Sequence, residues 1–189
     1  MAAQPRIAPL EDPPEEVREL LGQGLQRDGR PLNIFATLAH HPRLLRRFNQ
    51  LGGLLLTRGL LPARERELVI LRVGWRCRSE YEFGQHTVLG RAAGLTDDEI
   101  GRIASDARDG FEDDDRLLLA LADELCESNT VSDATWDGLA RRFGDPELLE
   151  LLVLAGFYRL VSGFLNGARV QLEPQTPGWP GQPHAEDGG

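Results

Sequence analysis

The chain has 189 residues, a length that suits one domain whose core needs neither disulfides nor metals to be stable. Its 30 acidic and 21 basic side chains give a formal net charge of −9, which would repel nucleic-acid phosphates and an anionic membrane surface. We therefore expect no nucleic-acid partner and no membrane partner, and the first residues lack the apolar segment of a signal peptide. Cys77 and Cys126 lie far apart and form no CxxC pair, which suits a reducing, cytoplasmic location.

Composition divides the chain into three parts. Residues 1–14 are predicted to be an extended N-terminal arm, residues 15–173 a helical domain, and residues 174–189 a disordered Pro- and Gly-rich tail in which Trp179 could still dock. Within the domain, apolar residues recur at helical spacing, and no segment shows the alternation of a strand. We therefore predict an all-α fold, a single-domain bundle of about eight helices.

The predicted helices follow one another with short breaks. Helical spacing begins at residues 15–25, 32–39 and 42–59, with a polar break at residues 27–30. Later starts are marked by residues that begin or cap helices, namely Pro62, Ser79, Thr96, Asp113, Ser132 and Asp145. Gly94 is placed to end the helix that Ser79 begins.

The last helix contains the longest apolar stretch of the chain, residues 148–165. Glu150 and Arg159 interrupt this stretch, and charged side chains are costly inside a bilayer. We therefore expect a buried core helix rather than a membrane span.

The segment CRSEYEFGQH, residues 77–86, concentrates groups that can transfer protons. On a helix, Ser79, Glu82 and His86 share one face, and Glu82 and His86 form an i, i+4 pair. A carboxylate beside an imidazole raises the imidazole pKa and fixes its tautomer, which suits a proton donor and acceptor near neutral pH. From the spacing alone a solvated helix face, where such a pair contributes only about 0.2–0.5 kcal/mol, is the better interpretation.

The neighbourhood of this pair favours a functional site. Trp75, Tyr81 and Phe83 lie close to it in sequence and indicate a partly apolar setting. The preceding helix adds a further acid, Glu67.

Residues 66–100, RELVILRVGWRCRSEYEFGQHTVLGRAAGLTDDEI, resemble the carboxymuconolactone decarboxylase family, which includes the alkylhydroperoxidase D-like proteins. The segments PLNIFATLAHHPRLLRRF and VSDATWDGLARRFGDPELLELLVLAGFYRLVSGFLNGARVQLE extend the resemblance over most of residues 30–173. The resemblance implies an alkylhydroperoxidase D-like helical fold and a homo-oligomer with sites near the subunit contacts. In the decarboxylase branch of the family it also implies a reaction that needs no cofactor.

The peroxidase branch of this family carries a glutamate, then a CxxC pair, then a histidine. These positions fall on Glu67, on Ser79 and Glu82, and on His86, so the acid and the histidine are kept and both thiols are absent. A thiol peroxidase needs one thiolate to attack the peroxide and a second thiol to resolve the sulfenic acid. The chain therefore resembles the decarboxylase branch more closely.

The predicted function is a cofactor-independent carbon–carbon lyase, or a related proton-transfer enzyme, acting on a small carboxylated lactone or carbonyl compound. His86 would be the general acid and base, Glu82 would orient it, and Glu67 would relay protons or tune it. The substrate-binding candidates are Arg72, Tyr81, Ser79 and Trp75, and no metal ligand set is found. A buried salt bridge is an equally good interpretation of Arg72, and packing is the better one for Tyr81.

Two alternatives remain open from the sequence. One is an alkylhydroperoxidase-type redox protein that uses Cys77, which a Cys77→Ser variant with unchanged activity would exclude. The other is a non-catalytic binding protein on the same helical scaffold, in which Glu82 and His86 are ordinary ion-pair residues. Cys126 is interpreted as a small core residue, and Tyr158 and Asn166 as packing residues.

Overall fold

The computed structural model describes residues 4–22, 24–106 and 109–181, and the predicted all-α fold is confirmed there. The helices in these ranges are α1 (Glu15–Gly22), α2 (Asn33–Leu38), α3 (Pro42–Thr57), α4 (Ala63–Arg76), α5 (Glu80–Ala92), α6 (Asp97–Ile103), α7 (Asp113–Ser128), α8 (Asp133–Ala140) and α9 (Asp145–Ala168). The described part of the chain thus has nine helices, in agreement with the predicted bundle of about eight. The ends of the predicted arm and tail, residues 1–3 and 182–189, lie outside the described residues.

A small antiparallel hairpin occupies the predicted polar break. Strands β1 (Gln26–Arg27) and β2 (Arg30–Pro31) pair, and both residues of the connecting turn have positive φ, 52° at Asp28 and 73° at Gly29. Asp-Gly is the typical sequence of such a two-residue turn. The prediction of no strand was wrong here, because strands of two residues are too short to show alternation.

Helix α4 is the centre of the bundle, with α5, α7 and α9 packed around it. Every residue from Leu68 to Gly74 is buried, as expected for a helix enclosed on all sides. Two glycines bring α5 close to α4. A Cβ on Gly74 would lie 3.4 Å from the backbone nitrogen of Phe83, and a Cβ on Gly90 would lie 3.2 Å from the side chain of Leu71. This close approach brings the side chains of the two helices together.

Most of the predicted helix ends are confirmed. Thr96 caps α6 as predicted and forms a capping box with Glu99, the Ser132 hydroxyl accepts a hydrogen bond from the Thr135 amide, and Gly94 has a φ of 98° after α5. The cap predicted at Ser79 was wrong. The Ser79 side chain makes no capping hydrogen bond, and its fully buried hydroxyl has no partner among the described residues.

Helix α9 packs against α3, α4, α5, α7 and α8 and supplies one wall of the core. It is also the one helix of the described residues that is long and apolar enough to cross a membrane, by length and composition only, with a mean hydropathy of 1.8 over 18 residues. Half of this 18-residue stretch is buried inside the domain, as predicted for a core helix.

The described part of the predicted tail, residues 174–181, packs against α4 and α5. The Trp179 ring makes an edge-on contact with Trp75 and a tilted contact with Phe83, each with 5.2 Å between ring centroids. Gly84 leaves room for this segment, because a Cβ there would lie 2.1 Å from the carbonyl oxygen of Pro177. The structure thus differs from the predicted disorder at these residues, since burial of the Trp179 ring offsets the cost of ordering the segment.

Candidate functional site

A cavity of about 420 Å³ lies between the hairpin, α3, α5 and α9. Most of its surface is apolar, which is typical of pockets for small organic ligands. The apolar lining includes Phe35, Phe48, Leu56, Leu89, Phe157 and Val161. Glu82 and His86 of α5 also line it, so the predicted proton-transfer pair faces a concave, largely apolar cavity.

The His86 ring lies between two carboxylates. Its Nδ1 is 2.6 Å from Oε2 of Glu67 on α4, and its Nε2 is 3.1 Å from Oε1 of Glu82, one turn earlier on α5. The predicted association of these three residues is therefore present. The roles of the two acids differ from the prediction, because the shorter and better aligned contact, the one that orients the ring, comes from Glu67. The contact at Nε2 joins the ring to Glu82, which lines the cavity together with His86, whereas Glu67 does not line it.

All three side chains of this centre are buried, and Glu67 is fully inaccessible. Burial by itself would lower the pKa of His86. The negative charge and the hydrogen bond of Glu67, followed by those of Glu82, outweigh it and raise the pKa of His86 to about 10. His86 is therefore a positively charged imidazolium at neutral pH, with both ring N–H groups directed at carboxylates.

A second cation completes the charge balance. The guanidinium of Arg66 lies 3.1 Å from Oε1 of Glu67, the oxygen that does not face His86. Two carboxylates are thus matched by an imidazolium and a guanidinium, which is the condition under which buried charges are tolerated.

Two further cavity residues were not predicted as site residues. Tyr158 packs its ring edge-on against the His86 ring, with 4.9 Å between centroids, and burial followed by the charges of Glu82 and Glu67 raises its pKa well above the usual value. The Tyr158 hydroxyl is therefore a neutral hydrogen-bond donor. The amide oxygen of Asn49 on α3 is buried at the cavity and has no hydrogen-bond partner among the described residues.

The sequence offered little signal for these two residues. Asn49 lies in the amphipathic pattern of α3, and Tyr158 lies in the apolar run of α9. Only the packing of these helices around α5 shows that both side chains reach the space beside His86.

Among the described residues that line the cavity, two side chains are cationic, namely His86 and Arg27 of the hairpin. Its guanidinium contacts the Thr176 hydroxyl and lies 3.5 Å from the amide oxygen of Gln85. Glu173 accepts hydrogen bonds from the Asn33 amide at 2.6 Å and from the Tyr81 hydroxyl at 2.7 Å. The segment after α9 therefore joins the hairpin and α5 into one rim of the cavity.

The predicted role of Arg72 in substrate binding was wrong. Arg72 points away from the cavity, is 1% exposed, and its guanidinium is fully engaged. Its Nε donates to Asp123 at 2.6 Å, and Nη1 donates to the carbonyl oxygens of Ile103 and Ser105 at 2.7 and 2.5 Å. The alternative interpretation, a buried salt bridge, is the one that the structure shows.

The other three substrate-binding candidates also differ from the prediction. Ser79 and Trp75 do not line the cavity, and the Trp75 ring packs on Trp179 instead. Tyr81 does line it, but its hydroxyl donates to Glu173 and accepts from the Ile34 amide at 3.2 Å. Tyr81 therefore forms part of the wall, with a hydroxyl that is already committed to the rim.

Comparison with known proteins supports the predicted family. Residues 42–123 match the model of the carboxymuconolactone decarboxylase family, and the centre formed by Glu67, Glu82 and His86 lies within the matched segment. A search of curated proteins gives no match to the chain.

Solved structures share the fold at low sequence identity. A peroxidase-related protein from Ralstonia eutropha JMP134, described as an alkylhydroperoxidase AhpD core, superimposes with a TM-score of 0.78 at 21% identity over 92% of this chain and 96% of that one. A peroxidase-related protein from Silicibacter sp. TM1040 gives 0.77 at 17% identity over 92% of each chain. The debrominase Bmp8 gives 0.72 at 14% identity over 88% of this chain and 91% of that one. The chain thus has the alkylhydroperoxidase D-like fold.

Proposed function

We propose that the chain is a cofactor-independent enzyme that transfers a proton to carbon, and that its reaction is decarboxylation of a small carboxylated lactone or carbonyl compound. One observation carries the proposal. A protonated histidine, held by two buried carboxylates, faces a largely apolar cavity of about 420 Å³. Titratable groups with strongly shifted pKa values in a pocket are typical of catalytic centres.

The proposed reaction uses the proton on Nε2 of His86. The bond between the substrate and its carboxylate breaks, CO2 leaves, and the electron pair moves into the conjugated carbonyl to give a dienolate. His86 then donates its Nε2 proton to the substrate carbon, and solvent restores that proton through Glu82. Glu67 keeps the ring oriented throughout, and its charge favours the return of the proton to the neutral imidazole.

The remaining polar groups of the cavity suit an anionic substrate that carries a carbonyl. The Tyr158 hydroxyl would stabilise the dienolate oxygen, because it is a neutral donor beside His86. The Arg27 guanidinium at the rim would hold a carboxylate that is not lost. The Asn49 amide oxygen would accept a hydrogen bond from a substrate hydroxyl or N–H. A cytoplasmic location remains a prediction.

A thiol reaction in this cavity is less well supported. Two fold neighbours are described as peroxidase-related proteins. In this chain the two positions that would carry the thiols are Ser79, which is outside the cavity, and Glu82. A carboxylate at the second position suits proton transfer and cannot be oxidised to a sulfenic acid.

The proposal is tested by CO2 release from 4-carboxymuconolactone and from a panel of other vinylogous and β-keto acids. We expect release with at least one of these acids, and a kcat lower by about 10²–10⁴-fold in a His86→Gln variant. His40→Gln is the matched control, because His40 is exposed and bonds only the carbonyl oxygen of Ala8. A folded wild-type protein that releases no CO2 from any of the acids, or equal rates in both variants, would overturn the proposal.

A further inference from the structure

One wall of the cavity beside His86 is built from aromatic rings that follow one another as neighbours. The Tyr158 ring lies 4.9 Å from that of His86, and the Phe157 ring lies 5.5 Å from that of Tyr158, both between centroids. Phe48 continues the series at 5.1 Å from Phe157, and Phe35 ends it at 6.5 Å from Phe48. All five residues line the cavity, so a ligand that reaches His86 also lies along this aromatic wall.

Helix α3 leaves the middle of the aromatic wall open, because two adjacent glycines of α3 line the cavity, Gly52 and Gly53. A Cβ on Gly52 would lie 3.4 Å from Cζ of the Phe157 ring, so a longer side chain there would compete with a ligand for the space beside this ring. Glycine is a poor helix former, and its double use inside α3 keeps the Phe157 ring in contact with the cavity.

The groups that the proposed reaction uses leave the aromatic wall without a role. Glu82, His86 and Tyr158 act on the carboxylated carbonyl group of the substrate, and Arg27 holds a carboxylate at the rim. A cavity of about 420 Å³ lies in the range that accommodates ligands larger than such a group alone. Apolar space that a ligand leaves empty costs affinity, because the lining then has no atoms to contact.

We infer that the substrate carries an aromatic ring beside its carboxylated carbonyl group, which makes it an aryl β-keto acid or the vinylogue of one. The reacting group in this inference rests on the proposed function, whereas the ring rests on the aromatic wall alone. The ring lies against Phe48 and Phe157, the carbonyl oxygen lies beside the Tyr158 hydroxyl, and the carbon that receives the proton lies beside His86.

The aromatic wall distinguishes an aromatic ring from a saturated one of the same size. Aromatic rings carry a negative face and a positive edge, so edge-to-face and offset contacts between them add to the effect of burial. A saturated ring buries at least as much apolar surface and lacks these contacts. Two ligands that differ only in the aromaticity of one ring therefore separate the effect of the wall from that of burial.

Benzoylacetate is the simplest substrate of this class, and its reaction balances. The bond between its methylene carbon and its carboxylate breaks, CO2 leaves, and the electron pair forms the enolate of the aryl ketone. The enolate carbon takes the proton from Nε2 of His86 and gives acetophenone, and solvent restores that proton through Glu82. The net reaction consumes one proton and releases one CO2.

Calorimetric titration of the full-length protein with two unreactive acids tests the ring directly. Hydrocinnamate and cyclohexylpropanoate have the same charge and the same carbon skeleton, and their six-membered rings are aromatic and saturated respectively. We expect hydrocinnamate to bind about fivefold more tightly, although its ring is the less apolar one. The ratio of the two affinities is the readout, because a general change in stability or in carboxylate binding affects both acids equally.

A pair of identical substitutions locates the effect. Phe48→Leu removes one ring of the aromatic wall, keeps an apolar side chain, and should lower the affinity ratio by about twofold or more. Phe164→Leu is the matched control, because Phe164 is also partly buried against the core but does not line the cavity. This variant should keep the wild-type ratio.

Binding and CO2 release together separate this inference from the proposed function. No binding of either acid, equal affinities, tighter binding of cyclohexylpropanoate, or the same change of ratio in both variants would overturn the inference. A preference for hydrocinnamate without CO2 release from any acid of the panel would support an aromatic ligand and overturn the proposed function alone. Faster CO2 release from benzoylacetate than from cyclohexanoylacetate, each above its uncatalysed rate, would support both.

Discussion

His86 is the residue on which the proposed reaction depends, and its environment sets its charge. An exposed histidine loses its proton near pH 6.5, whereas two buried carboxylates keep His86 charged well above neutral pH. The imidazolium holds two negative groups together inside the bundle, and it can release its Nε2 proton where a substrate would lie. The same three residues therefore contribute to stability and to the proposed reaction.

This arrangement predicts a pH dependence of stability. Folding raises the pKa of His86 from about 6.5 to about 10, so the folded chain binds this proton more tightly than the unfolded chain does. The stabilisation is complete below pH 6.5 and declines as the pH rises towards 10. In urea unfolding between pH 6 and 10, the free energy of unfolding of the wild type should fall more than that of a His86→Gln variant. Parallel curves for the two proteins would contradict the ion-pair geometry.

Arg27 gives a prediction about substrate recognition. If its guanidinium holds a substrate carboxylate, an Arg27→Gln variant should raise KM by about tenfold or more with a smaller effect on kcat, because the contact is the same in ground and transition states. The matched control is an Arg46→Gln variant, since Arg46 is exposed on α3 and does not line the cavity. An unchanged KM in the Arg27 variant would show that the carboxylate binds elsewhere.

The sequence predicted the cluster of Glu67, Glu82 and His86 better than its surroundings. The i, i+4 spacing predicted that Glu82 and His86 form a pair, because local periodicity fixes which residues share a helix face. Glu67 was predicted from the family resemblance. Which carboxylate orients the imidazole depends on the distance between α4 and α5, and spacing along one helix contains no such information. The Arg72 prediction failed for the same reason, since its partner Asp123 lies on α7.

At the scale of elements, helices were predicted well and their ends less so. Apolar periodicity reflects burial on one side, and it located α3, α4 and α9 closely. Ser79 was expected to cap α5 because serine is a common N-cap, yet the close packing of α4 on α5 buries its hydroxyl instead. The docking of residues 174–181 could not be predicted from composition, since it depends on a groove between α4 and α5.

Gly84 tests the importance of that docked segment. Alanine is the better helix former, so a Gly84→Ala change would stabilise an isolated α5, but its Cβ would lie 2.1 Å from the Pro177 carbonyl oxygen. We therefore expect the segment to detach, with a red shift of tryptophan fluorescence as Trp179 becomes exposed. Gly101→Ala is the matched control, because no atom lies within 4 Å of a Cβ at that helical glycine. Identical spectra for the two variants would contradict the docking.

At the scale of the whole molecule, α9 carries an apolar stripe that the single chain leaves open. Leu149, Val153 and Leu160 are 63%, 47% and 60% exposed and lie on one helix face, together with Gly156 and Gly163. A second copy of the chain would cover such a face, and the glycines would allow a close approach between helices. We propose that this stripe contributes to the homo-oligomer that the family resemblance implies.

Light scattering tests this assembly directly. The wild type should be oligomeric at micromolar concentration, and a Leu160→Glu variant should shift towards monomer because it places a charge in an apolar contact. An Ile7→Glu variant changes a residue of comparable exposure outside α9 and should leave the assembly intact. A wild-type protein that is monomeric at this concentration would exclude the proposed interface.

The proposed reaction depends on His86 being a proton donor that is already charged at neutral pH. The most direct test is the pH dependence of kcat with the acid that gives the fastest CO2 release, measured on protein that circular dichroism shows to be folded. We predict a plateau across neutral pH and a decline with an apparent pKa of about 10, where His86 loses its proton. A rate that rises with an apparent pKa near 6.5 would show that neutral His86 acts as a base, and it would contradict the account.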